Sequence, residues 1–147
     1  MSDLVPDPRA QAALEHLLEA TAASRVTLRR DVPGDYPFPV VEEALAPGVG
    51  SLREERSVDL PTQPVVLEIR KGNQVVQHDS RASFDDPEFQ RMLDVYGGLG
   101  AQIVTPVVVG GVVRAIVSLH QLGAPRTWTD DEVALATATA ERVKELL

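Results

Sequence analysis

The chain has 147 residues, 44% of them hydrophobic, no cysteine, and a formal charge of −8 at pH 7. It is long enough for one real hydrophobic core; its acidic balance argues against nucleic acid and anionic membrane as partners, which need a basic footprint. The lack of cysteine excludes disulfides, a thiolate nucleophile and thiolate metal sites.

Residues 1–6 are expected to be a loose end. Asp7-Pro8 joins an N-cap to a proline in the first helical turn, where a missing N–H does no harm. Ala10, Leu14, Leu17, Leu18 and Thr21 then recur at helical spacing, which predicts an amphipathic helix over 8–23. Ser24–Asp31 alternates and predicts a strand, with Val26 and Leu28 on one face and Thr27 and Arg29 on the other. Phe38–Leu45 predicts a second strand pairing back on the first. Residues 46–61, punctuated by Pro47, Gly48, Gly50 and Pro61, read as a loop. Thr62–Lys71 is open between a strand, for its β-branched content, and a short helix capped by Thr62 and ended by Gly72. Asn73–Asp79 predicts a short strand with Gln77 and Asp79 on one face. Asp85-Asp86-Pro87 opens a helix by the same device as Asp7-Pro8. Phe89, Met92, Leu93 and Tyr96 form its apolar stripe, and Gly97-Gly98 stops it.

Two apolar, largely β-branched runs, Ala101–Val109 and Val112–Gln121, flank Gly110-Gly111. Two glycines accept the positive φ that a two-residue hairpin turn needs at both central positions. Such a turn predicts Val108 opposite Val113, Pro106 opposite Ala115 and Val104 opposite Val117, a wholly apolar face suited to meet helices. The other face then pairs Ile103 with Ser118, Thr105 with Ile116 and Ala101 with His120. An apolar wall with a few polar groups is how a ligand pocket is lined, and also how a half-wet sheet face looks. Thr129 and Glu132 make a capping box, and Asp130 and Asp131 put negative charge where the helix dipole favours it. The helix predicted from there runs to Leu146. Val133, Ala136, Ala140, Val143 and Leu147 form one stripe, widened by Leu135, Ala138 and Leu146.

The order helix, strand, strand, helix, strand, helix, hairpin, helix, with GAQIVTPVVVGGVVRAIVSLHQLGAPRTWTDDEVALATATAERV, resembles the GAF domain, a family of small-molecule sensors related in fold to PAS domains. The matching parts are Gln102–Val109, Gly110-Gly111, Val113–His120, Trp128–Glu132 and Val133–Leu147; Arg114-Ala115 departs from the glycine many members carry. The resemblance tips Thr62–Lys71 toward helix. It implies an α+β fold over 1–147: a central antiparallel sheet, N- and C-terminal helices on one face, and a ligand pocket on the other. Members bind cyclic nucleotides, bilins, haem, small anions and aromatic acids. Some attach a bilin through cysteine, and one branch reduces methionine sulfoxide with cysteines. Neither chemistry is open to a chain without cysteine, so no covalent bilin is expected, and no cofactor beyond an unidentified small molecule.

The groups this layout places around the pocket are Arg29, Gln77, Asp79, Tyr96, Thr105, Ser118 and His120, with Met92 and Ile103 as apolar lining. A lid is expected from Ser51–Pro61 and Ser80–Tyr96. Arg29 suits bidentate binding of an anion, or pairing with a local carboxylate; a protonatable His120 would assist. The lining suits a small ring or a short hydrocarbon body. Ser118 and His120 stand i, i+2 on a strand, about 7 Å apart, too far for a Ser–His hydrolase pair. His78, Asp79 and His120 lack metal-ligand spacing. The expectation is therefore a non-catalytic, cytoplasmic sensory or regulatory domain that binds a small anionic molecule. The alternative is a ligand-free scaffold for dimerisation or protein interaction. The alanine-rich surface of Val133–Leu147 beside Ala10–Thr21 predicts a homodimer through the terminal helices. No apolar run reaches the about 18 residues of a membrane span, and MSDLVPDPRA has no signal-peptide pattern.

Overall fold

The computed structural model describes residues 7–147, and the loose end expected at 1–6 lies outside the described residues. Among these residues the elements are α1 (Pro8–Thr21), β1 (Arg25–Arg30), β2 (Val40–Leu45), α2 (Pro64–Arg70), β3 (Val75–Gln77), α3 (Pro87–Val95), β4 (Leu99–Val109), β5 (Val112–Leu122) and α4 (Asp130–Lys144). Three helices start where capping chemistry directs. The Asp7 side chain accepts from Arg9 N, and Asp86 Oδ1 accepts from Glu88 N at 2.8 Å and Phe89 N at 3.1 Å. Thr129 and Glu132 form the reciprocal capping box of α4. Each such cap contributes about 1 kcal/mol. The ambiguous segment is helical, but Gln63 rather than Thr62 occupies its N-cap position, without a side-chain bond. Thr62 instead belongs to a 3-10 turn, Leu60–Thr62, with its hydroxyl on Asp59.

The sheet order is β2-β1-β5-β4-β3, with every pairing antiparallel. One face carries α1 and α4, whose Leu14, Leu17, Ala136, Ala140 and Val143 pack on Val26, Leu28, Ile103, Val117 and Leu119. The other carries α2 and α3, where Ile69, Phe89, Met92 and Leu93 meet Val104 and Ile116. The alternation of β1 supplies both layers. Val26 and Leu28 go to the first, and Arg25, Thr27 and Arg29 turn toward the second.

The hairpin turn is where expected, with Gly110 and Gly111 at φ +60° and +79°. The register is not. Val109 pairs with Val112 and Val108 with Val113, and then a bulge at Arg114 shifts the pairing. Val107 meets Ala115, Thr105 meets Val117, Val104 meets Ser118, Ile103 meets Leu119 and Gln102 meets His120. Strand side chains alternate, so a one-residue slip turns every β4 side chain beyond the bulge to the opposite face. Ile103 and Thr105 therefore lie on the α1/α4 side. Thr105 Oγ1 accepts from Gln74 Nε2, which also reaches Thr137 of α4. Gln102 and Val104 stand where Ile103 and Thr105 were expected, so Val104, expected opposite Val117 on the helix-facing side, lies in the cavity wall instead. β3 is also shorter than expected, so Asp79 falls beyond its end. No helix among the described residues is long and apolar enough to cross a membrane.

Candidate functional site

The face of the sheet under α2 and α3 is not solidly packed. β1 sets Thr27 and Arg29 beside Ser118 and Ile116 of β5, and Arg25 beside His120. Gln102 and Val104 extend this wall on β4. Leu60, Gln63, Val65, Val66 and Ile69 close it from above, and Met92 and Tyr96 of the α3 region close the side. They line a partly open cavity of about 50 Å³. The lid is thus mainly α2, joined by Leu60, Met92 and Tyr96 from the segments expected to supply it.

Arg29 is 5% exposed. Its Nη1 donates to Phe38 O at 3.0 Å and its Nη2 to the Tyr96 hydroxyl at 3.1 Å. Both acceptors are neutral, and no ion pair among the described residues involves Arg29. Phe38 itself sits at φ +50°, which is rare for a bulky residue and costs about 1–3 kcal/mol.

Arg25, 1% exposed, is the second guanidinium. Nε donates to His120 Nδ1 at 3.1 Å, Nη1 to Gly50 O at 3.0 Å and Nη2 to Tyr96 O at 2.7 Å. Burial pushes its pKa down to about 10, against the pull of Glu43. A guanidinium has no acceptor, so His120 Nδ1 must accept and Nε2 carries the ring proton. Burial first, then the charges of Arg25 and Arg29, hold the imidazole pKa well below its ordinary value. The expectation of a protonatable His120 is corrected: the ring is a neutral N–H donor. Tyr96 stacks on it at 6.0 Å between centroids and 26° between planes. Burial raises the Tyr96 phenol pKa, so its hydroxyl keeps its proton.

Thr27 and Gln63 line the cavity, and Thr27 Oγ1 and Gln63 Oε1, both fully buried, have no hydrogen-bond partner among the described residues. Each such buried orphan costs about 1–3 kcal/mol.

Of the residues expected at the site, the structure brings together Arg29, Met92, Tyr96, Ser118 and His120. Gln77 is buried just outside: its Oε1 accepts from Gln102 Nε2 at 2.9 Å and its backbone oxygen from Trp128 Nε1 at 3.0 Å. Asp79 is exposed, accepts from Ala82 N at 3.4 Å, and lines a separate surface groove with Arg81 and Pro125. Ile103 and Thr105 are on the wrong face, through the β4 register. With His120 Nδ1 held by Arg25, no Ser118–His120–Asp79 relay is assembled. No group of three His, Cys, Asp or Glu residues suited to a metal occurs among the described residues. Sequence reasoning missed Arg25, Thr27, Gln63 and Gln102. The first two carry a usable signal, since they alternate with Val26 and Leu28 exactly as Arg29 does.

A family model described as the GAF domain matches residues 6–145. No curated protein sequence matches the chain. Among solved structures, the photoproduct state of GAF3 from Slr1393 of Synechocystis sp. PCC6803 has a TM-score of 0.71 at 21% identity, over 93% of this chain and 92% of that one. The blue-light absorbing form of the PixJ GAF domain of Thermosynechococcus elongatus gives 0.70 at 22%, over 93% and 86%. A phycocyanobilin-bound GAF domain from a cyanobacterial phytochrome gives 0.73 at 15%, over 93% and 81%. At these identities the likeness establishes the fold, an α+β architecture with a central antiparallel sheet. It also corrects the expectation of no cofactor, because a domain of this fold carries a bilin.

Proposed function

The chain belongs to the GAF domain family, and from that premise we propose that it is a non-catalytic sensory domain whose cavity binds a small anion. The observation that carries this reading is Arg29. It is a nearly buried guanidinium in the wall of a partly open cavity, and among the described residues its hydrogen-bond partners are neutral oxygens. Arg25 lies behind His120 with equally neutral hydrogen-bond partners, and among the described residues no carboxylate lines the cavity. Arg29, with no carboxylate paired to it among the described residues, favours an anion in a low-dielectric site, while Glu43 partly offsets Arg25; charge-assisted bonds are about twice as strong as neutral ones.

The volume sets the size. About 50 Å³ is a third of the about 150 Å³ that holds benzene, so the cavity as it stands suits a ligand of a few heavy atoms. A bilin is a candidate cofactor by the phytochrome domain of the same fold. A linear tetrapyrrole exceeds the cavity as it is closed here, and the chain offers no cysteine for a covalent bond.

The output of such a domain is association. The outer side of α1 and α4 presents a groove of Ala12, Ala13, Leu135 and Ala138 edged by Arg9, His16 and Arg142. A second copy of the chain laid on it by two-fold symmetry makes a four-helix bundle. A cysteine-free chain suits a reducing, cytoplasmic location.

The test is a thermal-shift comparison of formate, acetate, propionate and nitrate against chloride at equal ionic strength, on wild type and Arg29→Met. A ligand at 100 times its Kd stabilises by about 2.7 kcal/mol. Stabilisation of the wild type alone supports the reading. Equal stabilisation of both proteins removes Arg29 from the site. No shift with any anion favours the alternative, a scaffold whose pocket is filled by its own side chains.

A further inference from the structure

The cavity is open on one side. Every residue that lines it is buried except Val66 of α2, which is half-buried. Val66 and Leu60 also line a surface groove of about 460 Å³, together with Phe38, Pro61, Val112 and Val113. The groove continues the cavity along the same two strands. On β5, His120, Ser118 and Ile116 line the cavity, and Val113 and Val112 line the groove. On the other strand Thr27 and Arg29 line the cavity, and Asp31, just past the end of β1, lines the groove. A strand rises about 3.3 Å per residue, so Val113 stands roughly 10 Å beyond Ile116. Phe38 joins the two spaces directly, since its carbonyl oxygen accepts from Arg29 Nη1 at 3.0 Å. Val112 is 47% exposed, an apolar side chain left uncovered in the groove. An acid of two carbons on Arg29 would leave that surface in water.

We propose that the ligand is a medium-chain aliphatic monocarboxylic acid, with its carboxylate on Arg29 in the cavity and its tail running past Val66 and Leu60 into the groove. This rests on the anion reading above and adds the body of the ligand. The cavity of about 50 Å³ takes the carboxylate and the first carbons, and the rest of the chain covers Phe38, Pro61, Val112 and Val113. Burial of apolar surface is what such a tail gains, and it needs no polar partner. The two charged residues of the groove, Asp31 and Arg70, are of opposite sign, so a second carboxylate finds no net attraction there.

Isothermal titration with acetate, butyrate, hexanoate and octanoate, at equal ionic strength and below their micellar range, tests this. A fully buried methylene is worth about fourfold in affinity and a half-buried one about twofold. Hexanoate is therefore expected to bind at least about fourfold more tightly than butyrate, and octanoate more tightly again. Val112→Asp should bring hexanoate to within about twofold of butyrate while acetate affinity holds, which also reports that the variant is folded. Val113→Ser reads the same wall if Val112→Asp does not fold. Arg29→Met should weaken every acid at least about tenfold. Affinity that stops rising at butyrate overturns this proposal and leaves the anion reading standing. A chain-length gain unchanged in both groove variants overturns it too. So does adipate binding more tightly than hexanoate, because its second carboxylate falls where the tail should meet apolar surface. Binding of no acid in the series removes the anion reading and this proposal together.

Discussion

Folding stability should fall as pH drops below about 6.5, and His120 should be the cause. The ring is buried, accepts from Arg25 through Nδ1, and faces two guanidinium charges, Arg25 and Arg29, and the neutral phenol of Tyr96. Its folded pKa is depressed well below the 6.5 of the free side chain. Below pH 6.5 the unfolded chain therefore takes up a proton that the folded chain refuses. Stability that is fully present above pH 6.5 is lost as pH falls toward the folded pKa. One proton of difference is worth about 1.4 kcal/mol per pH unit; the unfolded ring is half protonated at pH 6.5, so the loss by pH 5 is at most about 1.6 kcal/mol. For a domain of this size that is at most roughly 5 °C in Tm. The lowered carboxyls Asp7 and Glu68 act in a separate, more acidic window, since their ordinary values are 3.8 and 4.5. Urea unfolding at pH 7.5, 6.5, 5.5 and 5.0 should be compared between wild type and His120→Asn. The asparagine oxygen can still accept from Arg25, but it does not titrate. The wild type should lose stability across this range and the variant should stay nearly flat. Parallel slopes in the two proteins, or a flat wild type, would refute the placement of a neutral imidazole between two arginines.

Gly100→Ala should cost about 3 kcal/mol in chemical denaturation, because a Cβ there would stand 2.1 Å from the backbone oxygen of Ala124, which is not a flexible side-chain end. Thr129→Ala should cost about 1 kcal/mol, since it removes the hydroxyl that accepts from Glu132 N at the start of α4 and leaves only the Glu132 half of the capping box. Sedimentation velocity at micromolar concentration should show a dimer for the wild type and a monomer for Ala138→Glu, which puts a charge in the groove between α1 and α4. A wild type that stays monomeric removes the proposed bundle.

Much of the fold is written in local chemistry. Asp7-Pro8, Asp86-Pro87 and Thr129–Glu132 each satisfy orphan N–H groups of a first helical turn, and that is a property of neighbouring residues. Gly110-Gly111 fixes the hairpin for the same reason. The register of β4 was not legible, because Val112, Val113, Ala115, Ile116 and Val117 are apolar at both parities and tolerate a bulge at Arg114. That one extra residue exchanged Ile103 and Thr105 for Gln102 and Val104 in the cavity wall. The face of Arg25 could be read from the strand alternation, but its burial could not. A basic residue at the start of an alternating strand reads as a solvated one. Its partners Gly50 O, Tyr96 O and His120 lie 25, 71 and 95 positions away, so only the folded chain shows that a guanidinium can be satisfied there without water. The same holds for His120, whose neutrality follows from that bond and not from anything near it in sequence.

The most direct measurement of the central claim is the Nε–H resonances of the arginine side chains during a titration with acetate at constant ionic strength. Arg29 lies in the cavity wall, whereas Arg9, Arg81 and Arg142 are exposed on the surface. Binding in the cavity predicts a saturable shift at Arg29, a smaller one at Arg25 behind His120, and none at the surface arginines. Shifts confined to the surface arginines, rising linearly with acetate while Arg29 stays fixed, would contradict it.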